Sequence, residues 1–266
     1  MNTKPRRGLA AVNDIEIAYR LYGGGYPLLK IAGFGSTMRT ADLQFIQALG
    51  ERYTVITYDS RGMGQTCPGK AKPSISQYAR DAAGLLESLG AKRAHVLGVS
   101  MGGCVAQELA LEFPRKVDNL VLVNTWGGSL PIAPKVMSAL SDLSGTPRLR
   151  AERLVSLLFP AEWLKEHRGE MVKKFTVSGP APAFYDLAGQ EAAIRDWEGD
   201  LDRLACIRKW LLVISGSLDE VVPPRESDLI ADRVPGALHY RVDGGGHGVT
   251  HQFPMECARA VLNFLP

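Results

Sequence analysis

The stretch Ala94-His95-Val96-Leu97-Gly98-Val99-Ser100-Met101-Gly102-Gly103-Cys104-Val105-Ala106-Gln107-Glu108-Leu109-Ala110 decides the fold. Its first four residues form a short apolar run of strand character, and residues 104–110 carry a helical pattern. Gly98 and Gly102 flank Ser100 between them. A serine on a sharp strand-to-helix turn has glycines on both sides because neighbouring elements crowd the turn. Its hydroxyl is then held out where another molecule can reach it. Strand running straight into helix is the repeating step of a parallel-sheet protein.

Outward from this stretch, short apolar runs alternate with amphipathic ones. Residues 8–12 and 15–22 alternate around Asn13-Asp14 and predict an antiparallel hairpin. Runs at 28–32, 54–58, 94–97, 120–124, 211–214 and 239–242 predict the remaining strands. Helical spacing covers 41–49, 75–89, 101–113, 225–233 and 255–264, and Ser74 with Gln77 has the form of a capping box. Between Asn124 and Cys206 the strands give out while helical patterns recur at 134–143, 149–158, 161–176 and 181–203. A structureless loop of that length is implausible in a compact domain, so a helical subdomain is expected there.

An alcohol barely ionises at neutral pH, so Ser100 needs a general base within hydrogen-bond reach and an acid to orient that base. Residues 210–214 read as a buried strand ending in Ser215-Gly216-Ser217-Leu218-Asp219, a turn that presents Asp219. Tyr240-Arg241-Val242 ends in Asp243-Gly244-Gly245-Gly246-His247-Gly248, a glycine-rich loop that holds His247. Each has competitors. His251 lies one helical turn from His247 and reads as a surface or helix-entry residue. His95 sits inside a strand, while His167 and His239 have no catalytic setting. Glu220, Asp243 and Asp59 are alternative acids; Glu220 would point elsewhere if Asp219 faces the histidine. Ser100 itself could be a structural serine on an ordinary turn. The backbone N–H of Met101 would open a helix, where the dipole favours negative charge, and so is a candidate oxyanion donor.

Five segments occur in an order found in one known superfamily: Ile31-Ala32-Gly33-Phe34-Gly35, Tyr58-Asp59-Ser60-Arg61-Gly62-Met63-Gly64, the turn at Ser100, Ser215-Gly216-Ser217-Leu218-Asp219, and Gly245-Gly246-His247-Gly248. Along essentially its whole length the chain resembles the α/β-hydrolases, and among them serine hydrolases of the esterase and 3-oxoadipate enol-lactonase kind. The chain order Ser100, Asp219, His247 is that of this fold and of neither chymotrypsin nor subtilisin. The resemblance implies an α/β-hydrolase fold with an eight-stranded, mostly parallel sheet flanked by helices. Residues 1–125 and 206–266 would form its core, and 126–205 a helical lid inserted after the sixth strand. Ser100, Asp219 and His247 would be catalytic, with the oxyanion held by the backbone amides of Met101 and of Phe34, the residue after Gly33. Asp243 then yields to Asp219, because the family's acid follows the preceding strand. Asp59 and Arg61 match a structural turn, and Asn124 stands where some relatives keep their acid but is no carboxylate. One departure is plain: Ala32 replaces the usual histidine before Gly33, a residue thought to brace the oxyanion loop.

Gly33, Trp126, Phe159 and Trp163 are the candidate substrate-contacting residues. Phe175, Phe184, Tyr185 and Trp197 are further lid aromatics that either line an acyl pocket or pack the lid helices together. The reaction implied is hydrolysis of a carboxylic ester or lactone through an acyl-enzyme. Carbon–carbon bond hydrolysis or cofactor-free perhydrolysis on the same triad is the alternative, and so is a ligand-sensing protein with slow turnover. Haloalkane dehalogenases and epoxide hydrolases of this fold carry aspartate at the turn, so Ser100 disfavours those chemistries.

Composition excludes other classes. The chain has 266 residues, 45% of them hydrophobic, enough to bury one large core. Its 31 basic and 28 acidic residues leave a net +3 spread along the chain, so neither a nucleic acid nor an anionic membrane is an expected partner. The expected partner is a small-molecule ester or lactone, and the expected state a monomer or homodimer. Arg6-Arg7 could open an export signal, but Asn13-Asp14 and Glu16 cut short the apolar run after it. No run approaches the roughly 20 apolar residues that span a bilayer. Cys67, Cys104, Cys206 and Cys257 are widely spaced with no metal-ligand grouping and read as reduced thiols of a cytoplasmic protein. Gly23-Gly24-Gly25 opens no helix and is a turn, not a dinucleotide site; no metal cluster stands out in the sequence, and a Ser-His-Asp triad requires no cofactor, so neither is expected.

Overall fold

The computed structural model describes residues 4–128, 130–176, 183–199 and 201–266. Eight strands form the central sheet: β1 Arg6–Val12, β2 Ile15–Tyr22, β3 Tyr26–Ile31, β4 Tyr53–Tyr58, β5 Ala94–Val99, β6 Val117–Val123, β7 Leu211–Gly216 and β8 Leu238–Val242. Their spatial order is β1-β2-β4-β3-β5-β6-β7-β8. β2 pairs antiparallel with β1 and β4, and every other neighbouring pair is parallel.

Helices cover both faces, which is why the inner strands are apolar without alternation. Leu120, Leu122, Leu211 and Val213 pack on one side with α2 (Ile75–Ser88), α3 (Met101–Glu112) and residues of the helix Arg225–Arg233. Val121, Val123, Leu212 and Ile214 pack on the other with α1 (Leu43–Leu49) and the C-terminal helix Pro254–Phe264. Ser74 caps α2 as its spacing predicts, its Oγ accepting from Gln77 N at 3.0 Å. Cys104 and Cys257 are buried, and none of the four cysteines is in a disulfide.

Between β6 and β7 the chain runs through α4 (Pro134–Ser141), α5 (Pro147–Leu158), α6 (Ala161–Phe175), α7 (Leu187–Arg195) and the single turn Leu201–Leu204. The helix expected over 181–203 is not continuous; residues 181, 182 and 200 lie outside the described ones. Phe184–Tyr185 instead pairs antiparallel with Met63–Gly64, and Asp186 then caps α7 by accepting from Gly189 N at 2.8 Å. Gly199, at φ +60°, interrupts the helical run again, and any side chain there would meet the Gly127 and Gly128 carbonyls. Among the described residues no helix is long and apolar enough to cross a membrane.

Candidate active site

The site is built at the C-terminal edge of the parallel strands, where β5 turns into α3. Ser100 adopts φ 54° and ψ −124°, a strained conformation for a residue with a side chain. Its surroundings enforce that strain: a methyl on Gly98 would collide with the Gly102 carbonyl, and one on Gly102 with the Ile31 carbonyl. The two flanking glycines therefore let β5, α3 and β3 approach backbone to backbone. Ser100 N donates to Val123 O at 2.9 Å, and its carbonyl accepts from Thr125 Oγ1 at 2.7 Å.

The loops after β7 and β8 bring the other two groups to this turn. His247 Nε2 lies 3.0 Å from Ser100 Oγ, and His247 Nδ1 lies 2.8 Å from Asp219 Oδ2. Asp219 is buried, and its second oxygen accepts from the amides of Val221 and Val222 at 2.8 and 2.9 Å. Both carboxylate oxygens are thus occupied, which fixes the plane offered to the imidazole. An imidazole bridging an alcohol and a carboxylate can take the hydroxyl proton and return it to a leaving group. Asp243 instead accepts from Ser217 Oγ at 3.3 Å, and Asp59 accepts from Met38 N and Gln65 N at 2.7 and 3.0 Å.

A cavity of about 570 Å³ opens on Ser100 and His247. Gly33, Phe34, Trp126, Phe175 and Tyr185 line it. Gly33 comes close to the serine: a methyl on it would lie 3.1 Å from Ser100 Cβ. Met101 follows Ser100 directly and is buried at the first position of α3, and Phe34 follows Gly33 in the cavity lining. Phe159 and Trp163 do not line the cavity, contrary to expectation. Phe159 packs in a separate cluster with Ala151, Val155 and Leu164, and stacks on Trp163 at 5.2 Å. Its role lies beneath the histidine loop: Gly248 N donates to Leu158 O at 2.8 Å, and a methyl on Gly248 would strike the Phe159 ring. Trp197 packs edge-on against Trp126 at 6.3 Å and donates to Glu108 at 3.0 Å, and Phe184 faces solvent.

Three features were missed in the sequence. Asn124, at φ 45° just past β6, donates to the carbonyls of Gly246 and His247 at 3.0 and 2.9 Å and accepts from Gly216 N at 2.9 Å. One amide side chain therefore ties the histidine loop to β7. Its place at a strand end next to the site was visible; its reach was not. Second, the loop after β3, where Ala32 stands, is held from the inserted segment. Gly35 N donates to Gln190 Oε1 at 2.8 Å, and Tyr185 Oη donates to Gly35 O at 3.0 Å.

Third, the cavity has a polar end. Lys30 Nζ lies 3.0 Å from Asp42 Oδ1, with both side chains almost wholly buried. Burial opposes ionisation of Asp42, but the Lys30 ammonium overcomes it and holds the carboxyl down at about 2. His251, read as a surface or helix-entry residue, sits half-buried in the short helix Val249–Gln252, with Nδ1 enclosed and without a hydrogen-bond partner. Burial pushes its imidazole down to about 4 despite the pull of Asp42, with Lys174 and Lys30 adding to the effect. Among the described residues no group of three or more His, Cys, Asp or Glu is placed to hold a metal ion.

Comparisons with known proteins converge on this architecture. Residues 26–254 match the family model described as alpha/beta hydrolase fold. A protein of Azorhizobium caulinodans named "Putative carbamate hydrolase RutD" is 32% identical over 94% of this chain and 95% of its own length. The crystal structure of a hydrolase from Pseudomonas aeruginosa PA01 superposes with a TM-score of 0.82 at 30% identity, covering 97% of this chain and 98% of that one. An enol-lactonase from Burkholderia xenovorans LB400 shares the fold at a TM-score of 0.82 and 22% identity, over 97% and 99% of the two chains.

Proposed function

The chain belongs to the α/β-hydrolase family, and from that premise we propose that it is a serine hydrolase that cleaves carboxylic esters or lactones through an acyl-enzyme. The observation that carries this reading is the continuous relay Ser100–His247–Asp219, at 3.0 and 2.8 Å, opening on a cavity of about 570 Å³.

His247 Nε2 takes the Ser100 proton as Oγ attacks the carbonyl carbon. The tetrahedral oxyanion is held by the amides of Phe34 and Met101, where loss of one donor typically costs about 3 kcal/mol of barrier. The carbon–oxygen bond to the alcohol breaks, the alcohol leaves with the proton from His247, and Ser100 carries the acyl group. Water, deprotonated by the same imidazole, releases the acid and restores the serine. Asp219 keeps His247 in the tautomer with Nδ1 protonated, and the Val221 and Val222 amides hold Asp219 for that task.

The name of the relative from Azorhizobium caulinodans favours a second substrate reading, a carbamate, on which the same steps pass through a carbamoyl-enzyme. A panel of chromogenic esters of rising acyl length, with a carbamate among them, tests both readings on wild type and Ser100→Ala. The variant is expected to lose at least about three orders of magnitude in kcat. Unchanged turnover in Ser100→Ala would refute the mechanism, and a carbamate outrunning every ester would move the substrate class.

A further inference from the structure

Among the described residues, Lys30, Asp42 and His251 share no hydrogen bond or ion pair with the triad, and the reaction above does not use them. Lys30 is the last residue but one of β3, in register with Thr57 of β4, and Asp42 is the residue before α1. Lys30, Asp42, Thr57, Thr250 and His251 all line the same cavity that opens on Ser100. A buried ion pair is a costly way to build a wall, since apolar residues of the same volume there are often equally stable or better. Its presence in the lining of a cavity points to recognition.

The unfilled valences say what is recognised. An ammonium carries three donors, and among the described residues Asp42 is the partner of Lys30. His251 Nδ1 is buried and unpartnered, in a ring 5.2 Å from that of Phe175, itself a cavity residue. The Lys30–Asp42 pair carries no net charge and presents a donor and an acceptor side by side. An anion seated here would face the Asp42 carboxylate, and a cation would face Lys30 and, beyond it, Lys174, whose field reaches Asp42 and His251. A neutral group that both accepts and donates meets neither penalty.

Resting on the esterase reading, we propose that the Lys30–Asp42–His251 end of the cavity is a specificity subsite for a neutral hydrogen-bonding group, a primary amide or hydroxyl, on the non-reacting tail of the substrate. Its carbonyl or hydroxyl oxygen accepts from Lys30, its N–H or O–H donates to Asp42, and His251 supplies the adjoining contact.

The test compares p-nitrophenyl esters of six to eight carbons whose acyl tails end in methyl, primary amide or carboxylate. A mirror series carries the same three tails on the alcohol of a butanoate ester. In one of the two series the amide tail is expected to exceed both others in kcat/KM by about tenfold or more, as hydrogen bonds to charged groups allow. In Lys30→Met/Asp42→Leu, which removes both charges together, that preference should vanish while the methyl-tailed ester is still cleaved. His251→Leu, which keeps the ion pair, should reduce it severalfold. Methyl or carboxylate tails preferred in both series, with turnover still dependent on Ser100, would overturn the subsite and leave the esterase reading standing. Failure to cleave any ester would overturn that reading and the subsite with it.

Discussion

His251 is a residue whose charge state differs between the folded and unfolded chain. Unfolded, it titrates near 6.5; folded, burial holds it down at about 4. Between those values the unfolded chain binds a proton that the folded chain refuses, so stability falls as pH drops through the window. The full effect is on the order of 3 kcal/mol. Asp42, lowered to about 2, adds a further loss only as pH falls below its ordinary value of 3.8. Melting temperatures from about pH 7.5 to about pH 4.5 should therefore decline, and His251→Gln should flatten that slope. His95 and His239, also lowered by burial, keep their share in both proteins. Identical slopes would mean that the ring is not held neutral in the fold. The sequence could announce Ser100, Asp219 and His247 as candidates because each stands in a local pattern of glycines after an apolar run. Lys30, Asp42 and His251 have no such pattern. A lysine inside a strand, an aspartate before a helix and a histidine in a short turn each have an ordinary solvated reading, and only tertiary contact makes a cluster of them.

At the scale of elements, the loop after β3 takes its shape from α7 and the Phe184–Tyr185 ribbon. Gly35, at φ +67°, is gripped at its N–H by Gln190 and at its carbonyl by Tyr185, which brace the loop that Ala32 is too short to brace. Gln190→Ala leaves the Gly35 amide without its acceptor and loosens the backbone next to the Phe34 amide. We expect kcat to fall about tenfold with KM changed less than about twofold, the pattern of a lost transition-state contact. Tyr185→Phe should act in the same direction and more weakly. A rise in KM with kcat intact would assign Gln190 to substrate binding instead. The ribbon and α7 are also less legible in the sequence than the sheet. Helical spacing over 181–203 is real in α7 and in the turn at Leu201–Leu204, but a two-residue strand has no period to detect. The inner strands were readable because a sheet covered on both faces needs unbroken apolar runs, and the first hairpin because its residues alternate.

Over the whole molecule, Arg61 joins segments distant in the chain. Its guanidinium takes both oxygens of Asp81 on α2 at 2.8 Å, Asp14 of the first hairpin at 2.7 Å, and the Pro68 carbonyl at 2.9 Å. Asn13 and Gln77 donate to the same Asp81 carboxylate. Arg61→Met would strand a buried carboxylate, and removal of one partner from such a pair costs about 3–5 kcal/mol. Urea unfolding should register that loss, with little rescue from Arg61→Lys, since an ammonium cannot reproduce the fork. A loss below about 1 kcal/mol would mean that the cluster is solvated.

The grip on Gly35 has one more consequence. Because the inserted helices hold the floor of the reaction centre as well as its ceiling, they are not an interchangeable cover. A chimera that grafts these helices from a relative onto this sheet would inherit a misaligned reaction centre unless the graft restored an acceptor for the Gly35 amide and a donor for its carbonyl.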